Sequence, residues 1–397
     1  MCKEDMDRME LEGGVPLEPF VHQVGGHCSM MKFDEHTICK PLISRERYFY
    51  ESLPNDIRRF TPQYRGLVQV TFEESQDGSL NILAYPAHKK VKDVSGNSSG
   101  SGGEGAESSE DSDSPQSNPK RRSKRRDEHS KKSRNRVRLL HSGSMDMSKA
   151  CDNYFEDQSE NLHRSDAHNP WSLHCHKIEV AKMRNNSANN TLYKFILLEN
   201  VASKFVYPCV LDLKMGTRVH GDDASEEKRE RQMAKCLATT SSTLGIRVCG
   251  MQVYRLNSGR FHCRNKYHGR RLSAEGVKQA LLEFLYSGIQ VRRDVISAII
   301  ERLIELKNIL ENKHSFRFYS SSLLIMYDGQ DGQYLSSDGD WLGEVGPKLD
   351  VRMIDFAHST HKGFRGDNNI HSGPDTGYLY GLENLIRLFQ EIEDEHS

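Results

Sequence analysis

The residues best suited to chemistry stand in Pro208-Cys-Val-Leu-Asp212-Leu-Lys214-Met-Gly216. Asp212 and Lys214 alternate with Leu211 and Leu213, so in a strand the two charges share one face and the leucines the other. So placed, a carboxylate and an ammonium either meet a ligand together or form a structural salt bridge. Upstream, Gly25 and Gly26 in Gln23-Val-Gly-Gly-His27 let backbone N–H groups come close to phosphates. Lys40, on an expected strand in Cys39-Lys-Pro-Leu42, offers a cation to nucleotide phosphates. Glu51, in Phe49-Tyr-Glu51 on the following helix, either orients that lysine or is a solvated helix residue. Asp355 ends a strand in Ile354-Asp-Phe-Ala-His358, a place from which a carboxylate can hold a divalent metal. Phosphoryl transfer asks for these parts, because its demands are positioning and neutralisation of phosphate charge.

Other readings lack their own parts. No GxxxxGK[ST] loop and no HRD-type catalytic loop occurs, and Ala357 stands where a DFG motif has glycine. Gly100, Gly102 and Gly105 have GxGxxG spacing, but no strand precedes them and no helix follows, so the match is chance. His174-Cys-His176 has no second ligand pair to make a zinc site.

A basic stripe follows the Asp212–Lys214 segment. Asp223 to Thr240 reads as a helix, with Asp223 and Glu226 in capping-box-like spacing. Lys228, Arg231 and Lys235 fall on one face at i, i+3 and i+7, beside Arg229. Met233, Cys236, Leu237 and Thr240 fall on the opposite face, expected to pack. The stripe either binds a polyanion or is a solvated face. Lys266 and Arg270 in Asn265-Lys-Tyr-His-Gly-Arg270 are further cationic candidates.

Several elements must position these residues. Gly66–Phe72 and Leu80–Ala84 alternate as strands, and Ser44 to Leu53 reads as a short helix capped by Ser44 and closed by Pro54. Leu192–Leu198 is a buried-strand candidate leading into Glu199-Asn-Val201. Val277, Ala280, Leu281, Phe284 and Leu285 form one helical stripe with Ser273 as cap, and Ile296, Ile299, Ile300, Leu303 and Leu310 form another. Asp328–Gly346 reads as a loop, Leu349–Met353 as a strand, and Leu382–Ile392 as a final helix.

The chain has 397 residues, a formal net charge of -1 and a hydrophobic fraction of 36%; its mean hydropathy is -0.71. Part of it is therefore expected to be disordered. From about His88 to Asn169 the text turns Gly/Ser-rich, then acidic around Ser108, Ser109, Ser112 and Ser114, then densely basic from Lys120 to Arg138. That basic run resembles a bipartite nuclear localisation signal and implies an import receptor as partner; a nonspecific nucleic-acid or membrane-surface patch is the alternative. The nine cysteines are scattered singly, as expected of free thiols in a reducing compartment. No signal peptide and no run near the roughly 20 apolar residues of a membrane span occurs. The expected location is cytoplasm and nucleus, with no membrane span and no requirement for nucleic acid.

The segment Pro208 to Gly216 matches PxxxDxKxG, the signature of the inositol polyphosphate kinases. Ser321-Ser-Leu-Leu324 and Ile354–His358 follow in that family's order, and the blocks Gln23–Pro54, Leu197–Val253 and Arg352–Lys362 resemble its inositol hexakisphosphate kinase subgroup. The resemblance implies an α+β, two-lobed kinase-like fold. Residues 1–14 would be a disordered terminus, 15–88 and 169–205 an ATP-binding lobe, 89–168 a disordered insert, and 206–397 a second lobe with the inositol phosphate-binding helices. It implies ATP and Mg2+ as cofactors. The nucleotide would meet Gly25, Gly26, Lys40, Glu51, Asp212, Asp355 and the backbone of Glu199, Asn200 and Val201, which joins the lobes. Asp212, Lys214 and Asp355 would be catalytic, with Asp355 on the metal. The inositol phosphate would meet Pro208, Lys214, Gly216, Lys228, Arg229, Arg231, Lys235, Lys266 and His358. It implies inositol hexakisphosphate and pentakisphosphate as acceptors, phosphorylated at the 5-position. An inositol multikinase or trisphosphate kinase acting on ring hydroxyls is the alternative within the family, with Asp212 as base; a non-catalytic nuclear scaffold is the alternative outside it.

Overall fold

A computed structural model describes residues 14–26, 28–74, 80–87, 169–186, 193–330, 346–365, 367 and 369–396. The expectations for the Gly/Ser-rich, acidic and basic stretches between 89 and 168, for the first 13 residues and for His27 lie outside the described residues, as does most of the loop expected over Asp328–Gly346.

Two antiparallel sheets form two lobes. The first has the strand order β1-β6-β5-β7-β4-β3-β2, with β1 Val15–Pro16, β2 Glu18–Pro19, β3 Met31–Lys32, β4 Thr37–Pro41, β5 Tyr64–Glu74, β6 Leu80–Pro86 and β7 Tyr193–Glu199. β7 is apolar on both faces because both are covered. Phe195 and Leu197 pack with Cys39, Val68 and Val70, whereas Ile196 and Leu198 pack with Ile38, Phe49 and Ile57. A strand buried on both sides reads as a continuous apolar run rather than an alternating one. Lys40 pairs with Ile196 across the β4–β7 ladder, so it shares the face of Ile38, toward the helix α1, Ser44–Ser52.

The second sheet has the order β10-β9-β8-β11-β12, with β8 Pro208–Met215, β9 Ile246–Arg255, β10 Arg260–Arg264, β11 Ser322–Asp328 and β12 Leu349–Ile354. β8 is central. Leu211, Leu213 and Met215 join Leu323 and Ile325 in the main core, where the helices Ala274–Leu285, Arg293–Glu311 and Thr376–Glu395 bury their stripes. The opposite face of β8 is left for the cleft between the lobes.

Several element ends differ from expectation. Helix α1 has Ile43 at its N-cap without a side-chain bond, rather than Ser44. The basic helix spans Glu226–Leu237 and is capped by Ser225, whose side chain accepts from the Lys228 N–H, rather than by Asp223. It stops short of Thr240 because Thr239 Oγ1 turns back to the carbonyl oxygens of Lys235 and Cys236, at 3.0 and 3.2 Å. The last helix begins at Thr376, not Leu382, with Asp375 accepting from the Tyr378 N–H. Gly377 and Gly381 hide that start, since glycine disfavours helix. Tertiary contact demands Gly381: a Cβ there would stand 2.4 Å from the Gly245 oxygen.

The helix Pro170–Asn186 was not anticipated. Its signal lies in Asn169-Pro170: the Asn169 side chain accepts from the Trp171 N–H at 2.9 Å, and proline suits a first helical turn.

Candidate active site

The cleft is lined from both lobes. On the first, the ammonium of Lys40 lies 2.9 Å from Glu46 Oε1 and 2.5 Å from Asp355 Oδ1. Burial works against charge on Lys40, but Asp355 and Glu46 override it and hold the ammonium well above the usual lysine range. Lys40 is thus a fixed cation. Glu46 is fully buried, and it also accepts from the Phe356 N–H at 3.3 Å.

This corrects the expectation for Glu51. Glu51 pairs instead with Arg47 at 3.0 Å on the exposed side of α1. The signal for Glu46 was present in the apolar phase of α1: Phe49, Tyr50 and Leu53 face inward, and Glu46 lies on the same stripe at i−3, i−4 and i−7.

Asp355 follows the last residue of β12 and has φ +64°, a left-handed conformation uncommon for a residue with a Cβ. It is the turn, not the strand, that aims its carboxylate at Lys40.

On the second lobe, Val210, Asp212 and Lys214 share the cleft face of β8. Their neighbours on β11 are Met326, Leu324 and Ser322, in register. The row therefore runs from apolar at Val210 to charged at Lys214. Asp212 is buried, and its Oδ1 has no hydrogen-bond partner. Burial, then the nearby Asp355 charge, push its carboxyl up to about 6, against the pull of Lys214 and a hydrogen bond from Ser322. The Lys214 ammonium donates to the Ser320 carbonyl at 2.5 Å.

The Gln23–Gly26 loop lies over this row. A Cβ on Gly25 would stand 1.9 Å from Asp212 Oδ2, and a Cβ on Gly250 would stand 1.8 Å from the Val24 oxygen. Both glycines are needed for that approach. Gly26 has φ +78°, and its carbonyl accepts from Trp171 Nε1 at 3.2 Å. The Gln23 side chain bonds the oxygens of Gly25 and Cys28, at 3.0 and 2.7 Å. The unanticipated helix Pro170–Asn186 thus braces the loop.

Between the sheets, Val201 and Phe205 pack with Val24, Val210 and Met326 in a small apolar cluster. Asn200 fixes the connection: its side chain donates to the Glu35 oxygen at 2.8 Å and accepts from the Ala202 N–H at 3.2 Å. The Glu199 N–H donates to the Gln63 oxygen at 2.9 Å. The row is thus apolar at this end and charged at the other.

The remaining candidates separate. Lys228, Arg229 and Lys235 are half-buried and Arg231 is exposed on the helix Glu226–Leu237. The expectation that Met233 and Leu237 pack is corrected: they are 50% and 73% exposed, and Cys236 alone on this helix is buried. Pro208 lies at the far end of β8, six strand steps or roughly 20 Å from Lys214, with its carbonyl on Gln252 Nε2. Gly216, at φ +90°, makes the turn after β8. The Lys266 ammonium sits over Trp171 at 5.1 Å, beside the glycine loop, and Arg270 over Tyr267 at 5.6 Å. His358 packs on Gly221, 3.4 Å from a Cβ placed there.

Asp355 and Asp212 are hard oxygen donors close enough to interact electrostatically. No group of three His, Cys, Asp or Glu suited to a metal exists among the described residues. Asp355 and Asp212 are the residues here that could hold a divalent cation, whose other oxygens would come from water and phosphates.

The inositol polyphosphate kinase family model matches residues 195–390. The chain is 46% identical to inositol hexakisphosphate kinase 1 of Homo sapiens, covering 97% of this chain and 95% of that one. It is 41% identical to inositol hexakisphosphate kinase 3 of Homo sapiens, covering 99% of each. A solved inositol phosphate multikinase of S. cerevisiae, in complex with ADP and Mn2+, aligns with TM-score 0.43 and 27% identity over 50% of this chain and 84% of that one. A relative this similar over nearly the whole length settles descent: the chain belongs to the inositol polyphosphate kinase family.

Proposed function

We propose that this chain transfers the γ-phosphoryl group of ATP, with Mg2+, to inositol hexakisphosphate and inositol pentakisphosphate, at the 5-position, giving diphosphoinositol polyphosphates. The single observation that carries the reading is the Lys40–Glu46–Asp355 cluster, built on the buried Glu46, facing the Asp212–Lys214 row across one cleft. The apolar end of that row takes the adenine, against Val201, Val210 and Met326. The phosphates then run under the glycine loop toward Lys40. Mg2+, when bound, neutralises phosphate charge.

In inositol hexakisphosphate every ring hydroxyl is esterified, so the nucleophile is a phosphate oxygen. With a second pKa near roughly 6 it is anionic at neutral pH and needs little help from a base. The obstacle is repulsion between anions. Lys214, Lys228, Arg229, Arg231 and Lys235 reduce it on the acceptor side, and Lys40 on the donor side.

A ring hydroxyl as acceptor, as in a multikinase, has one observation in its favour: Asp212, with its carboxyl near 6, would suit a general base. Incubation with ATP–Mg2+ and a panel of inositol phosphates, products resolved by charge, tests both. A product more anionic than inositol hexakisphosphate is expected; turnover confined to lower phosphates would overturn the main reading.

The basic run Lys120–Arg138 supports import by a nuclear receptor and a distribution over cytoplasm and nucleus. Imaging the tagged chain with these cations replaced by glutamine tests it; unchanged nuclear signal would refute the role.

A further inference from the structure

Helix α1 reaches the segment after Asp355 with two adjacent residues. Glu46 accepts from the Phe356 N–H at 3.3 Å. Arg45 reaches further along: Nη1 donates to Asp367 Oδ1 at 2.8 Å, and Nη2 donates to Asp367 Oδ2 at 2.5 Å and to the Ser359 carbonyl at 3.1 Å. The Arg45 guanidinium also lies over the Phe364 ring at 4.9 Å. Thr360 Oγ1 donates to the same Asp367 carboxylate. One turn on, Phe49 packs on Phe356 and Phe364, with ring centroids 5.0 and 5.7 Å away.

The pair is partly withdrawn from water, with side chains 21% and 8% exposed. The fork-to-fork geometry is one that arginine makes and lysine does not. The carboxyl of Asp367 feels burial, which raises it, but the Arg45 and Thr360 hydrogen bonds prevail and hold it below the usual range.

We propose that Arg45 is a positioning residue for Asp355. The turn that aims Asp355 at Lys40 starts from a left-handed residue at φ +64°. Such a conformation persists only where the surroundings fix it. Glu46 fixes the near side of this turn, at Phe356. Arg45 fixes the next stretch, Ser359 to Asp367. Both belong to the first turn of one helix, so the cation at Lys40, its orienting Glu46 and the turn carrying Asp355 are registered by a single element. Arg45 reaches Asp367, the Ser359 carbonyl and the Phe364 ring, and so acts through the turn.

The inference rests on the kinase reading, and its test separates the two. Arg45→Met keeps the apolar stem over Phe364 and removes the fork; Asp367→Asn keeps the shape and removes the ion pair. Binding of Mn2+ in the presence of ADP, followed by electron paramagnetic resonance, reads the metal site without turnover. Both variants are expected to bind Mn2+–ADP about tenfold more weakly and to lose about tenfold to hundredfold in kcat, since a misplacement of roughly 1 Å can cost about 10²-fold. KM for inositol hexakisphosphate should stay within about twofold, since the turn is displaced on the donor side. Arg45→Lys should fall between, and the swap Arg45→Asp with Asp367→Arg should recover part of the loss. Unchanged Mn2+–ADP binding in a folded variant would overturn the proposal, as would losses that merely track a lowered melting temperature in both variants. If the wild-type chain itself binds no Mn2+–ADP and transfers no phosphoryl group, the kinase reading falls too.

Discussion

Asp212 is an ionisable group kept where ionisation is costly. Its carboxyl has the ordinary value near 3.8 when unfolded and about 6 when folded. Between those pH values the folded state keeps a proton that the unfolded state has released, so this group's contribution to stability falls as pH rises and the cost is complete above about 6. Asp212→Asn is therefore expected to stabilise the nucleotide-free protein at pH 7.5 by on the order of 1–3 kcal/mol, while lowering turnover. Denaturant unfolding at pH 7.5 and at about pH 5 checks it, and the gain should shrink at the lower value. A pH-independent difference would mean that packing, not charge, is responsible. Glu46 and Glu51 give a sharper contrast. Glu46→Gln removes the charge from a fully buried partner of Lys40 and should lower kcat/KM for ATP by about 10²-fold. Glu51→Gln, on the exposed Arg47 pair, should leave it within about twofold. Equal effects would contradict the assignment of Glu46 to Lys40.

At the scale of the element, the basic helix Glu226–Leu237 is held to the body through Cys236, whose Sγ donates to the Thr217 carbonyl at 2.9 Å, and through the short helix Thr240–Leu244 that follows. Its other apolar side chains, Met233 and Leu237, face solvent. Replacing Lys228, Arg231 and Lys235 together by alanine should thus cost little stability, because alanine favours helix and no packed face is disturbed. KM for the inositol phosphate should rise tenfold to thousandfold, from charge-assisted contacts of roughly 1.5–3 kcal/mol each discounted for exposure. KM for ATP should hardly move. Added salt should weaken acceptor binding in the wild type more than in the variant. Steady-state kinetics at two salt concentrations decides it; an unchanged acceptor KM would return the stripe to a solvated face.

Across the whole molecule, the lobes meet through α1, the short helix Asn55–Arg58 and the residues just after it, as well as through the connection at Asn200. The Met353 N–H donates to the Phe60 carbonyl at 2.6 Å, Arg352 Nη1 donates to the Thr61 carbonyl at 2.8 Å, and Lys313 pairs with Asp56 at 2.5 Å. The cleft is therefore framed on two sides by these contacts among the described residues. Deleting 95–138 is expected to leave kcat and both KM values within about twofold and the protein folded, while reducing nuclear accumulation. Assay of the purified deletion protein checks the first part. An inactive or unfolded product would place that stretch inside the catalytic domain.

The sequence alone determined the strand carrying Asp212 and Lys214, the stripes of the helices Ala274–Leu285 and Arg293–Glu311, the family, and the chemistry. The elements rest on local periodicity, and the family and its chemistry on the resemblance carried by motif blocks such as Pro208–Gly216. Tertiary structure decided the rest. Lys40 meets Asp355 over a separation of 315 residues; the apolar phase of α1 already turned Glu46 inward, but only the assembled lobes set it against Lys40 and the Phe356 N–H. Gly381 sits inside a helix because another backbone passes beside it, and Met233 and Leu237 stay exposed because no element among the described residues covers them. Periodicity tells which face of an element is apolar; only the assembled lobes tell what lies against that face.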